Sequence, residues 1–264
     1  MIPVALTIAG SDCSAGAGLQ ADLKTFQHFQ VYGLTAVTCV VSETPNVVRH
    51  VHALPPELVL DQVELLLESY PVGAIKTGML HSAANIAGLA RLLQRHPQIP
   101  VVIDPVMIAS TGDPLIETDA ITAYQDLLLP LAWLITPNVP EAECLLGTSI
   151  TEANFSEAAR TLADRYNCAV LLKGGHLNAS TCVDLLHDHG EEFFFARERI
   201  DTQASHGTGC TLSAAIAAGL ALGNTLSDSC AMAKDFINHA LTHSLHWNNS
   251  RDERIDALNQ GTTR

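Results

Sequence analysis

The chain has 264 residues, 47% of them hydrophobic and 16% charged, which is enough apolar material for one large α/β domain or two small ones. A formal charge of −14 excludes nucleic acid or an anionic membrane surface as the natural partner, and an anionic ligand would have to be held by local positive potential. Seven widely spaced cysteines with no C-x-x-C pair argue against a disulfide framework or a thiolate zinc site and for a reducing compartment.

The first ten residues, MIPVALTIAG, read as a strand rather than a basic leader, and no apolar run reaches membrane-spanning length, so the expected location is the cytoplasm. A buried strand over 4–10 is followed by a Gly-rich turn and a helix through about Phe29. TAVTCVV (35–41) is β-branched, VVRHVHAL (47–54) alternates like an edge strand, and 55–70 has helical spacing behind its prolines. A strand over 72–79, a helix over 82–96 and a strand over 99–106 continue the pattern. After a loop come a helix over 118–130, a strand over 132–138, helices from about Glu141 to Leu146 and over 154–166, and a strand over 169–175. TCVDLLHD and EEFFFARE flank His189-Gly190 as a hairpin, and helices over 207–222 and 226–246 lead to a polar tail. The expected organisation is a single domain, 1–247, with 248–264 as a mobile tail.

Strand–helix alternation with near-continuous apolar strands predicts an α/β fold whose mostly parallel sheet is covered on both faces. A TIM barrel competes with an open doubly wound sheet, and the late hairpin and paired terminal helices favour the open sheet. Ligands of such sheets bind beyond the carboxyl ends of the strands, so the residues there carry the functional reading. Lys173, in AVLLKGGH, is one of only four lysines, and at the end of a buried strand it calls for an anion such as phosphate. Lys76 has a similar setting in AIKTGM. Asp104, Asn138 and Glu141 are hard oxygen donors at neighbouring strand ends and suit Mg²⁺ with its waters, although Asn138 could simply cap the helix that follows.

HGTGCT (206–211) opens a run of small residues and admits three readings: a packing joint, a redox site or a phosphate cradle. Gly207 and Gly209 let consecutive N–H groups converge at a helix N-terminus, where the dipole favours anions, and the same dipole would lower the Cys210 thiol pKa. His239, His243 and His246 recur on one helical face, but a polar surface stripe explains them better than zinc.

The segments IAGSDCSAGAGLQADLKT, AIKTGM, VIDPVM, ITPNVPEAE, LLKGGH and DTQASHGTGCTLSAAIAAGLALG, in order from about residue 4 to 245, resemble the hydroxymethylpyrimidine/phosphomethylpyrimidine kinases of thiamine biosynthesis, members of the ribokinase-like superfamily. The resemblance implies a three-layer αβα sandwich, usually a homodimer, and ATP- and Mg²⁺-dependent phosphorylation of 4-amino-5-hydroxymethyl-2-methylpyrimidine and then of its monophosphate. By position, Gly207, Thr208, Gly209 and Cys210 become an anion hole with Cys210 as base, and Lys173 meets the transferred phosphate. Thr208, Gly209, Lys173 and Asn138 face the nucleotide; Asp104 and Glu141, with Asn138, organise Mg²⁺ and its waters. Gly10, Asp22, Met79 and Val106 line the pyrimidine pocket.

Three departures stand out. Cys13-Ser14-Ala15 replaces the usual Ser-Gly-Gly, and Pro45 stiffens the turn after the second strand. Glu43 stands where the family has a glutamine whose amide is expected to pair with the pyrimidine. An ionised Glu43 cannot donate to the ring nitrogen, so it favours a protonated ring or a different heterocycle, such as a vitamin B6 alcohol. Gly16-Ala17-Gly18-Leu19-Gln20-Ala21 also fits the G-x-G-x-x-A fingerprint of a dinucleotide-binding dehydrogenase. That alternative starts five residues too late and leaves KGGH and HGTGC unexplained. A non-catalytic metabolite-binding protein would be suggested by loss of Lys173 or Cys210, and both are present.

Overall fold

The computed structural model describes residues 2–107, 118–176 and 180–261. The loop expected after Val106 lies largely outside them. Eleven strands are assigned among the described residues: β1 (Val4–Asp12), β2 (Tyr32–Thr44), β3 (Val47–Ala53), β4 (Ala74–Thr77), β5 (Val101–Ile103), β6 (Leu134–Ile135), β7 (Ala169–Lys173), β8 (Thr181–Asp188), β9 (Glu191–Glu198), β10 (Leu245–Asn248) and β11 (Arg254–Ala257). The helices are α1 (Gly18–His28), α2 (Pro56–Ser69), α3 (Ala83–Leu93), α4 (Thr118–Ala123), α5 (Val139–Leu146), α6 (Phe155–Tyr166), α7 (Thr208–Ala221) and α8 (Leu226–Thr242).

β1 to β9 form one sheet in the order β3-β2-β1-β4-β5-β6-β7-β8-β9. Pairings from β2 through β1, β4, β5 and β6 to β7 are parallel, while β3, β8 and β9 run antiparallel at the two sides. The chain leaves β1 for β2 on one side and later returns for β4 on the other. This makes β1/β4 the topological switch point at which such sheets bind ligands. One apolar layer joins the sheet to α2, α3, α4, α5 and α6; a second joins it to α1, α7 and α8 through Phe26, Leu212, Ile216 and Phe236. The architecture is therefore the open three-layer αβα sandwich, with the late hairpin as β8–β9.

The helix expected over 118–130 is instead α4 followed by a π-type turn, Tyr124–Leu128, and a 3-10 turn, Leu129–Leu131. Pro130, without an N–H, cannot continue the α ladder. The final helix stops at Thr242, short of the expected 246. Residues 248–261 are also not a loose tail: β10 pairs with β11, and Leu258 and Gln260 are 3% and 2% exposed. Periodicity misjudged them because a two-stranded hairpin with four-residue strands has too few apolar positions to register as alternation.

Beneath the carboxyl edge of the sheet, Lys76 on β4 and Asp22 on α1 form an ion pair at 2.8 Å with neither side chain exposed, and Thr7 Oγ1 donates to the same carboxylate at 2.5 Å. Burial alone would deprotonate Lys76; the Asp22 carboxylate overrides it and raises the lysine pKa. Removing one member strands the other charge, a loss of about 3–5 kcal/mol. Lys76→Ala should therefore lower the unfolding free energy in urea by about that amount, and Lys76→Met with Asp22→Leu should recover most of it.

Candidate active site

One cavity of about 880 Å³ opens over the switch point. Gly10, Glu43, Met79, Asp104, Val106, Asn138, Glu141, Lys173, Gly207, Thr208, Gly209 and Cys210 all line it, brought there from the ends of six parallel strands, the loops that follow them and the N-terminus of α7. Asp22 is the exception: expected to line the pocket, it lies sealed beneath it as the partner of Lys76. On α1 its position turns it towards Thr7 and β4, and a helix register of this kind cannot be read from a motif string.

The geometry tightens around Gly209. Lys173 Nζ donates to Asp104 Oδ1 at 3.0 Å, and Thr136 Oγ1 donates to the same oxygen at 3.2 Å. A Cβ added at Gly209 would stand 3.3 Å from Lys173 Nζ and 3.4 Å from Asp104 Oδ2, so the helix backbone abuts this pair. Gly207, the α7 N-cap, has φ +82°, and a Cβ there would reach within 2.0 Å of the Gly16 carbonyl. Only glycine allows the loop after β1 and the start of α7 to touch in this way. In the first turn, Thr208 N–H donates to Ser205 O, while those of Gly209 and Cys210, at the start of the helix, have no acceptor within it.

Cys210 departs from expectation. The helix dipole was expected to lower its thiol pKa; instead burial pushes it up to about 11, assisted by Asp22 and Asp104, and Lys76 and the Gly18 N–H offset this only partly. It rests as a thiol. Glu141 is pushed up to about 7, first by burial and then by the Asp104 charge, with Lys173 pulling it down. Asn138 Oδ1 accepts from Glu141 N and Glu141 Oε2 accepts from Asn138 N, both at 2.9 Å, a capping box on α5. The capping role considered for Asn138 is thus real, and the residue also lines the cavity.

Several lining residues were given no role in the sequence reading. Asp12 Oδ2 accepts from the N–H groups of Gly16 and Ala17 at 3.1 and 2.8 Å and bonds His206 Nε2 at 2.9 Å, joining the loop after β1 to the one before α7. Burial would raise the Asp12 carboxyl, but His206, Ala17 and Ser14 together hold it down to about 2. Glu43 completes this cluster, the three offering ligand atoms within 4.8 Å of one another, and Cys13 Sγ lies within hydrogen-bond distance of both its N–H and its carbonyl. Burial, and then the Asp12 charge, raise the Glu43 pKa. Across the cavity Lys234 on α8 donates to Asp184 Oδ2 at 2.6 Å, and Gly174 N donates to Asp184 Oδ1. The scarcity of lysine was the one available signal for Lys234. Among the described residues, His239, His243 and His246 form no group close enough to hold a metal: two rings stack at 4.1 Å and the third has left the helix for β10.

The family model for phosphomethylpyrimidine kinase matches residues 12–253. The chain belongs to the phosphomethylpyrimidine kinase family. It is 42% identical over 247 residues to the hydroxymethylpyrimidine/phosphomethylpyrimidine kinase of Haemophilus influenzae, covering 91% of each chain. It is 44% identical over 237 residues to the thiamine biosynthesis bifunctional protein ThiED of Geobacter sulfurreducens, covering 89% of this chain but spanning only 48% of that relative's length. Among solved structures, the ADP complex of Bacillus subtilis pyridoxal kinase superposes with a TM-score of 0.89 at 36% identity, covering 98% of both chains. Family membership excludes the dehydrogenase alternative, and the switch-point cavity, rather than the G-x-G-x-x-A string, is where the ligand-facing residues gather.

With its pKa near 11, Cys210 should alkylate slowly at neutral pH in the absence of ligands. The rate of its modification by iodoacetamide, followed by peptide mass, should rise about tenfold per pH unit between roughly pH 7 and 10; a plateau below about pH 8 would show a thiolate poised by the helix instead.

Proposed function

We propose that this protein is an ATP-dependent kinase that phosphorylates the 5-hydroxymethyl group of 4-amino-5-hydroxymethyl-2-methylpyrimidine and then the resulting monophosphate. The observation that carries this reading is the convergence of Lys173, Asp104 and the open first turn of α7 on one point of the cavity. Phosphoryl transfer needs little covalent help from a protein; it needs positioned donors aimed at the oxygens where charge develops. The Gly209 and Cys210 N–H groups and the Lys173 ammonium supply such donors at one end of the cavity. The ADP held by the B. subtilis structure supports a nucleotide in the same cavity.

Asp104 and Glu141, with the Asn138 amide beside them, fit a Mg²⁺ ion and its waters: both carboxylates are buried, and a cation beside Glu141 would relieve the burial that raises its pKa. Bound there, Mg²⁺ would offset the charge of the nucleotide phosphates. Cys210 is assigned to take the proton of the substrate hydroxyl. As a resting thiol it would give up its own proton only as the substrate oxygen attacks, with the Lys76 charge and the Gly18 N–H favouring the thiolate. Gly10, Met79 and Val106 form the apolar bed for the ring, and Glu43 its polar edge. Because the Glu43 pKa is raised, a protonated fraction presents a donor beside an acceptor, as a glutamine would. A cytoplasmic homodimer completes the reading, testable by sedimentation. A vitamin B6 alcohol as substrate is the second reading, favoured by Glu43 and by the pyridoxal kinase neighbour.

Steady-state ADP release on hydroxymethylpyrimidine, its monophosphate and pyridoxal tests both readings. The pyrimidine should have the higher kcat/KM, and a pyridoxal preference would overturn the first reading. Since only protonated Glu43 donates, the wild-type KM for the pyrimidine should rise with pH through the upper carboxylate range, and Glu43→Gln should remove that dependence. Gly209→Ala, crowding Lys173 and Asp104, should lower kcat by about 10- to 100-fold with little change in melting temperature.

A further inference from the structure

Gln260 is 2% exposed and does not line the cavity, yet it joins the two loops that shape the cavity's phosphate end. Its amide nitrogen donates to the Gly16 carbonyl at 3.1 Å and to Thr211 Oγ1 at 3.0 Å. Gly16 belongs to the loop after β1, and Thr211 to the first turn of α7, where its own N–H donates to Gly207 O. The Gly16 carbonyl is also the atom against which Gly207 packs, so Gln260 sits on the seam where the two loops touch. One NH₂ group satisfies two acceptors at once, and both would be buried without that partner in its absence. The amide is delivered by a dedicated element. The hairpin β10–β11 turns the chain back, Leu258 is buried, and Asn259 N–H donates to Ala240 O on α8.

We infer that Gln260 is a positioning residue for phosphoryl transfer: it locks the first turn of α7 against the loop after β1 and so fixes the aim of the Gly209 and Cys210 N–H groups. The inference rests on the reading of that turn as the phosphate cradle. An amide contact that merely held the C-terminal segment down would act on stability alone. A contact that sets the angle of the cradle acts on the turnover step, because donors aimed at developing charge matter most in the transition state.

The test uses the full chain with Gln260→Met, which keeps the length of the side chain and removes its donors. Kinetics are measured with ATP and the pyrimidine alcohol well below the melting temperature of each variant, with circular dichroism confirming the fold. The expected result is a fall in kcat of about tenfold with KM for the alcohol within about twofold. A fall of less than about threefold, whatever the change in melting temperature, would overturn the inference. If Gln260→Met does not fold, Thr211→Val reads the same contact from the helix side under the same criterion. Gly209→Ala is measured in parallel. If it loses activity and Gln260→Met does not, the positioning role fails alone; if Gly209→Ala keeps full kcat, the cradle reading beneath it fails.

Discussion

A lysine ammonium at the carboxyl edge of a buried sheet has lost its water, and an anion must replace it; that constraint organises this structure. Of the four lysines, three answer it in the same way, each paired with an aspartate from a different element: Lys76 with Asp22, Lys173 with Asp104, and Lys234 with Asp184. The pairs run from beneath the cavity to its rim. In a chain of charge −14 they place ammonium groups beneath and beside the cavity, each held by its own aspartate. The fully sealed pair is structural, and the partly exposed Lys173, with its side chain 14% accessible, faces the cavity.

The same site depends on backbone approach. Two Gly-rich loops meet where Gly207 rests on the Gly16 carbonyl, and Gly209 presses the start of α7 against Lys173 and Asp104. The small-residue helix behind them, buried continuously from Thr211 to Gly219, lets that N-terminus sit deep in the sheet edge instead of above it. Depth has an electrostatic consequence. It disfavours a thiolate, so Cys210 stays protonated at rest. The helix dipole argument for a lowered thiol pKa holds for exposed helix ends and is outweighed here by desolvation and two nearby carboxylates.

Much of this was legible in the chain. The alternation of apolar strands and amphipathic helices led to the doubly wound sheet, and nearly every residue singled out at the ends of those strands lines the cavity. What escaped depended on direction or on distance along the chain. Asp22 and a lining residue of α1 differ only in which face of the helix they occupy. Asn138 serves as a helix cap as well as lining the cavity, and the residue string cannot apportion the two. Asp12 with His206, and Gln260 with Gly16, join positions some 200 residues apart or more, 194 and 244 respectively, and leave no local pattern.

By itself the sequence determined the class of fold, the family and the chemical types gathered at the strand ends, because these follow from local periodicity and from residue types that are costly anywhere but at a site. Only the tertiary structure decided which charges pair, which glycines touch, and whether Cys210 rests as thiol or thiolate. Those properties depend on desolvation and on separations of about 3 Å between groups far apart in the chain, and no one-dimensional pattern carries that information.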